Sequence, residues 1–243
     1  MKILVIGESC LDVFHYGSCR RLAPAAPVPV FNLIDTKKTG GMAMNVYNNL
    51  KILEKNVEIY TNKNWQNIRK TRYVEKHSNH MFLRVDENDT EFRKANLKEM
   101  DFSLYDAIVV SDYDKGFLTK QDMKTISSKH PKTFLDTKKE LGDWCKDFTF
   151  IKINGYEYDK TKHLLDKEIR KKLIITQGSK GCLFRNKSYS VPMVEVKDVS
   201  GAGDTFLASF VYKFINTDQI EPSIQFANQC ATKVVQKRGV STI

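Results

Sequence analysis

Short apolar runs ended by Gly, Asp or Asn recur along the chain at Ile3–Ile6, Ala107–Val110, Thr133–Leu135, Phe148–Ile153 and Leu173–Thr176. Each has the length of a strand and is rich in Ile, Val or Phe, the pattern of strands buried on both faces. Such strands belong to a parallel sheet. Between them lie segments with helical spacing: Met42–Leu53, where Val46, Leu50 and Leu53 share one side, then Thr119–Lys129 and Gly155–Leu165. The alternation predicts an α/β fold with a doubly wound, mostly parallel sheet. Two regions interrupt it. Val28–Ile34, and Arg72–Lys76 with Phe82–Val85, read as half-buried antiparallel strands, so a small β-lid is expected from residues of about 13–36 and 71–86. Near the C-terminus, Ala202–Phe214 and Pro222–Lys237 read as two consecutive helices, with Pro222 suited to a first helical turn. There is no repeat, low-complexity tract or dividing linker, and residues 1–243 are read as one domain.

Composition narrows the partners. With 41% hydrophobic and 28% charged residues, the chain has the make-up of a globular domain. The five cysteines, Cys10, Cys19, Cys145, Cys182 and Cys230, are widely spaced without a CxxC pair, which fits a reducing compartment and argues against a disulfide framework or zinc ribbon. Only four consecutive apolar residues precede Gly7, too few for a signal-peptide core, and no later run approaches membrane-spanning length, so a soluble cytoplasmic protein with no membrane partner is expected. The net charge of +10 is spread along the chain without an RNP-like, zinc-finger or helix-turn-helix pattern. It argues for anionic small ligands rather than nucleic acid.

The segment richest in chemistry is Asp198-Val-Ser-Gly201-Ala202-Gly203-Asp204-Thr, followed by the helix-forming run to Phe210. Small residues let backbone approach a ligand, and a helix that opens at Ala202 presents free N–H groups and a positive dipole end to an anion. Asp204 beside that end could accept a hydroxyl proton during an in-line attack on a phosphoryl group. Alone, the same residues also fit a glycine turn and an acid that stabilises a first helical turn.

The string Asp198 to Asp204 resembles the second signature of the ribokinase-like (PfkB) family of carbohydrate kinases, and matches it at every fixed position. Gly40-Gly41-Met-Ala-Met-Asn45 is similar to the first signature, where backbone and the Asn side chain meet the sugar. Asp12, in Gly7-Glu-Ser-Cys-Leu-Asp12, corresponds to the family's sugar-binding Asp. Asn154-Gly-Tyr-Glu157 resembles the Asn-x-x-Glu motif that organises Mg²⁺ and its waters. Thr176-Gln-Gly178-Ser179-Lys-Gly181 resembles the nucleotide loop, and Asn228 falls on the adenine side. The resemblance implies a ribokinase-like fold, with Asp204 as general base, Gly201, Ala202 and Gly203 as the anion hole, and ATP and Mg²⁺ as cofactors. A monovalent cation and a homodimer formed through the lid stay open.

Within the family, Leu11–Gly17, Ala25–Val30, Ser111–Gly116 and Leu135–Lys138 look most like the heptose-7-phosphate kinase domain of bacterial enzymes that make ADP-heptose. Arg84 and Lys138 would suit an acceptor that already carries a phosphate. The implied reaction is phosphorylation of the anomeric hydroxyl of D-glycero-D-manno-heptose 7-phosphate. The alternatives are a fructokinase, ribokinase or nucleoside kinase of the same family, or a catalytically silent sugar- or nucleotide-binding regulator. One departure is visible, in that only about ten residues separate Tyr60 from Thr71, where relatives carry a further helix and strand; the expectation is also of a kinase domain without the fused nucleotidyltransferase domain of many heptose kinases. Elsewhere, His77 and His80 have no third ligand cluster and read as a hairpin turn. Tyr113 and Lys115, at a strand end, either line the cleft or face solvent.

Overall fold

In the strand β1 (Ile3–Gly7) every residue is buried, and successive side chains point to opposite faces. Ile3 and Val5 enter one apolar core and Leu4 and Ile6 another, which is why the run is apolar without alternation. The computed structural model describes all residues, 1–243.

After β1, the strands β2 (Ser9–Ala23) and β3 (Ala26–Met42) form a long hairpin that returns the chain to helix α1 (Ala43–Leu53). There follow β4 (Val57–Tyr60), β5 (Arg69–Glu75), β6 (Met81–Glu87), β7 (Ala107–Asp112), α2 (Lys120–Lys129), β8 (Thr133–Thr137), β9 (Phe150–Asn154), α3 (Gly155–Thr161) and α4 (Lys167–Lys172). The last elements are β10 (Leu173–Thr176), β11 (Cys182–Phe184), β12 (Lys187–Tyr189), α5 (Ala202–Thr217) and α6 (Ile220–Val234).

The main sheet has the order β12-β11-β10-β9-β8-β7-β1-β4. It is parallel from β10 to β4, and only the β11–β12 edge runs antiparallel. Helices α1, α5 and α6 cover the face that holds Ile3, Val5, Phe134 and Phe150. On the other face Met123 and Ile126 of α2 and Ile169 of α4 pack against Leu4, Ile108 and Ile151. Phe150 meets Phe214 edge-on at 4.9 Å between ring centroids and Phe210 at 5.2 Å, a geometry aromatic quadrupoles favour. These contacts fix α5 antiparallel to the strands, with its N-terminus at their carboxyl ends. A second sheet, in the order β3-β2-β5-β6, grows from the carboxyl end of β1.

Several boundaries differ from expectation. The Val28–Ile34 strand is the middle of a 17-residue β3. The helix expected over Gly155–Leu165 ends at Thr161 and passes through a single 3₁₀ turn, because Asp166 caps a separate helix by accepting from Ile169 N. The last helix is shifted to Ile220–Val234. Residues 61–68 form no helix or strand. No helix is long and apolar enough to cross a membrane.

Candidate active site

The first turn of α5 carries Asp204, 6% exposed. Gly201, which precedes the helix, has φ +81°, and a Cβ on it would lie 2.6 Å from Asn45 Nδ2. Only glycine meets both conditions at low cost. Asn45 Nδ2 donates to Asp204 Oδ2 at 2.9 Å, and the Tyr113 hydroxyl donates to Asp204 Oδ1 at 2.8 Å. Burial pushes the Asp204 carboxyl up to about 6, with Asp136 adding to the rise and Asn45, Lys152 and Tyr113 opposing it. Tyr113 is held in turn by Glu8, whose buried carboxylate accepts from Tyr113 N at 2.9 Å and Lys115 N at 3.0 Å. Asp198 accepts from Ser200 N at 2.8 Å and Gly239 N at 3.1 Å, which ties the loop before α5 to the C-terminal segment.

Asp12, 5% exposed, faces the same space from β2. Its Oδ1 accepts from Arg72 at 2.5 Å, and a Cβ on Gly41 would lie 2.2 Å from its Oδ2, so the end of β3, where Gly40 and Gly41 are strand residues rather than a turn, admits the carboxylate only because Gly41 lacks a side chain. The Arg72 guanidinium also lies 4.9 Å from the Phe14 ring centroid. Across the β5–β6 pair Arg72 stands directly opposite Arg84. Like charges so placed repel, and here each is offset by an acid: Asp12 for Arg72, and Asp86 for Arg84 through a two-pronged contact at 2.7 and 2.8 Å.

Asn154 and Glu157 form a reciprocal helix cap on α3: Asn154 Oδ1 accepts from Glu157 N at 2.9 Å and Glu157 Oε2 accepts from Asn154 N at 2.8 Å. Lys138 donates to Glu157 Oε1, and its Nζ lies 5.5 Å from the Tyr113 ring centroid. Lys138 thus contacts Glu157 and Tyr113, whereas Arg84 contacts Asp86 in the second sheet, and the structure does not bring the two expected phosphate ligands together. No group of three or more His, Cys, Asp or Glu gathers as a metal cage. Where β9 passes into α3, the oxygen donors are the Glu157 carboxylate and the Asn154 amide oxygen. One or two carboxylates beside phosphate oxygens and retained water is the set Mg²⁺ favours, so the residues fit the ion.

Thr176 ends β10, and its hydroxyl donates to Ile153 O at 3.3 Å. Gly178 and Ser179 form a 3₁₀ turn closed by Gly181. A cleft of about 570 Å³ opens between the segment Tyr189–Pro192 and α6, lined in part by Asn228 and Thr232. Asn228 Nδ2 donates to Tyr189 O at 2.9 Å, whereas Thr176, Gly178, Ser179 and Gly181 lie outside this lining. Sequence reasoning left Tyr113 open and gave Arg72, Asp136 and Lys152 no role of their own. The loop string Ser111–Gly116 was a signal for Tyr113 and the string Leu135–Lys138 one for Asp136, while Arg72 and Lys152 look like ordinary polar positions within strands.

The pfkB family carbohydrate kinase profile matches residues 30–243. The chain belongs to that family. PfkB family carbohydrate kinases are phosphotransferases that act on a sugar hydroxyl, and members of the family use ATP. Among its curated relatives, the bifunctional protein HldE of a Nitratiruptor species is 30% identical over 292 aligned positions, which cover 99% of this chain and 63% of that protein. An HldE of Helicobacter pylori is 30% identical, with coverage of 98% and 63%. The chain therefore spans about 63% of the length of these relatives, and it has 243 residues against 292 aligned positions, so many of those positions are gaps. The pfkB fold is shared with a ribokinase from Thermotoga maritima (TM-score 0.72, 15% identity, 98% of this chain and 94% of that one). It is shared also with a nucleoside kinase from Methanocaldococcus jannaschii (TM-score 0.69, 16% identity, 99% and 93%). An Arabidopsis thaliana ribokinase complexed with ribose and ATP gives a TM-score of 0.65 at 14% identity, with coverage of 98% and 93%.

Proposed function

We propose that this pfkB kinase transfers the γ-phosphate of ATP to the anomeric hydroxyl of D-glycero-D-manno-heptose 7-phosphate, with Asp204 as the general base. The observation that carries the reading is Asp204 itself: a buried carboxylate at a helix N-terminus, raised to about 6 and aimed by Asn45 and Tyr113. A base with a pKa near the working pH is ionised and still accepts a proton readily. Asp204 takes the hydroxyl proton as the sugar oxygen bonds to the γ-phosphorus. The bond from that phosphorus to the bridging oxygen breaks, and the electron pair stays on ADP. The N-terminus of α5, opened by Gly201, Ala202 and Gly203, offsets charge on the transferring group. Asp12 accepts sugar hydroxyls next to Gly40 and Gly41 at the end of β3, and the adenine side of ATP lies toward Asn228 and the loop of Thr176, Gly178, Ser179 and Gly181. Asn154 and Glu157 would hold Mg²⁺ through its waters, and the ion would neutralise phosphate charge.

An acceptor with its own phosphate is supported by the opposed Arg72 and Arg84 on the second sheet, by the likeness to heptose-7-phosphate kinase domains, and by the identity to HldE proteins. A screen of sugars and sugar phosphates for ADP release with ATP and Mg²⁺ tests it. The expected result is that heptose or hexose 7- or 6-phosphates turn over faster than the unphosphorylated sugars. Arg84→Ala and Lys138→Ala are each expected to narrow that preference, with the larger effect from Arg84. A preference for neutral sugars, unchanged in both variants, would sink the heptose 7-phosphate reading and leave a kinase of ribose, fructose or nucleosides.

The second sheet also supports a homodimer. Every residue of β6 is exposed, and Leu33, Ile34, Met81, Phe82, Leu83 and Val85 present apolar side chains to solvent. Exposed apolar residues of this kind on both edge strands of the sheet, β3 and β6, are costly in a monomer and mark an interface. Sedimentation of the native chain is expected to give a dimer, and Leu83→Arg a monomer. A native monomer at micromolar concentration would refute the lid interface.

A further inference from the structure

On the α5 side of the main sheet, β8 and β9 change character toward their carboxyl ends. Phe134 and Phe150 stack at 6.2 Å and pack against Phe210 and Phe214. Two residues further along each strand, on the same face, the aromatic pair gives way to Asp136 and Lys152, directly paired in the sheet register. Lys152 Nζ donates to Asp136 Oδ2 at 2.6 Å, and the two side chains are only 6% and 7% exposed.

A buried ion pair contributes little stability beyond what well-packed apolar residues would give, since the desolvation of both charges offsets their attraction. This pair is also incompletely satisfied, because Asp136 Oδ1 is buried without any hydrogen-bond partner. A bridge kept only for stability would be expected to close its own hydrogen bonds. The pair's location supplies the reason. A Cβ on Gly203 would lie 2.8 Å from Lys152 Nζ, so the ammonium rests against the first turn of α5, one residue from Asp204. A side chain at residue 203 would displace it.

We propose that Lys152 is a catalytic residue of the phosphoryl transfer, whose ammonium, poised by Asp136, bonds to the γ-phosphoryl oxygens at the N-terminus of α5. The inference rests on the proposed kinase reading of the Asp204 site and adds a charged donor to it. Lys152 keeps its proton throughout, since the sugar proton goes to Asp204 and the electron pair of the breaking bond stays on ADP. Its contribution is a positive charge fixed in a site that excludes water, where a donor aimed at developing charge acts far more strongly than in solvent. Asp136 is the positioning residue: it holds the ammonium in place before the nucleotide arrives, and gives up part of that contact when phosphate oxygens enter.

The test compares Lys152→Met, Lys152→Arg and the neutral pair Lys152→Met/Asp136→Asn with the native chain. The readouts are kcat and KM for ATP, with Mg²⁺ and the sugar phosphate that gives the fastest ADP release, and the melting temperature. Lys152→Met leaves Asp136 as a lone buried charge, so the doubly neutral protein is the variant expected to fold well. In both, kcat is expected to fall about 10²- to 10³-fold, the usual loss for one oxyanion-type donor, while KM for ATP moves only a few-fold. Lys152→Arg should recover part of kcat because it keeps the charge but not the geometry. Native kcat in the folded double variant, or a loss confined to KM, would overturn the inference. Asp204→Asn in the same assay separates the two readings: if it is inactive while the double variant is native, only the role of Lys152 falls, whereas native turnover of Asp204→Asn removes the base itself.

Discussion

Asp204→Asn is expected to abolish useful turnover while leaving a protein that binds ATP and folds better than the native chain at neutral pH. The amide keeps the shape and the Asn45 contact but cannot take the hydroxyl proton, and loss of a general base costs about 10²- to 10⁴-fold. The gain in stability follows from burial. In the unfolded chain the carboxyl titrates near its ordinary 3.8, and in the folded one near 6. Between those values the folded state binds more protons, so its stability falls as pH rises through the window. Above it the buried charge costs on the order of 2–3 kcal/mol, at about 1.4 kcal/mol for each unit of raised pKa. Asn carries no such cost. Thermal melts should place the variant above the native chain at pH 8, with the difference closing toward pH 4. The native pH–rate profile should lose activity below about pH 6 as Asp204 protonates. Wild-type turnover in Asp204→Asn would remove the residue from the mechanism.

Gly201→Val and Gly203→Val should both slow transfer more than they weaken ATP binding, but for different reasons and with different effects on folding. At Gly201 the left-handed backbone, φ +81°, disfavours any β-branched residue, and the new Cβ would push Asn45 away from Asp204. A stability loss of about 1–3 kcal/mol is expected there, with turnover down about 10²-fold as the base loses its orientation. At Gly203 the backbone is helical, and the intruding side chain meets only the flexible end of Lys152. Stability there should change by less than about 1 kcal/mol, roughly the cost of a valine in a helix interior, while turnover still drops as the ammonium and the phosphoryl group are driven apart. Steady-state kinetics with ATP as the varied substrate, alongside thermal melts, separate the two patterns. Full activity in both variants would exclude the start of α5 from the transfer site.

The sequence by itself determined the parallel core, because a strand buried on both faces must be apolar at consecutive positions, and Ile3–Ile6 and Ala107–Val110 carry that imprint. It also determined the glycine-rich start of α5 and the Asn154/Glu157 turn, since a backbone that must bend left-handed, or a helix that must be capped, leaves its mark within four residues. The β11–β12 hairpin escaped because each strand has three residues and its turn, Arg185-Asn186, reaches positive φ without glycine. The chemistry around Asp204 was decided by tertiary structure. Tyr113 lies 91 residues away in sequence and Asn45 159, and each reaches the carboxylate only through the sheet order. Likewise Lys152, a polar residue between Ile151 and Ile153, has no local pattern to distinguish it. Its meaning depends on the register with Asp136 and on the missing side chain of Gly203, and neither is set until β8, β9 and α5 have packed together.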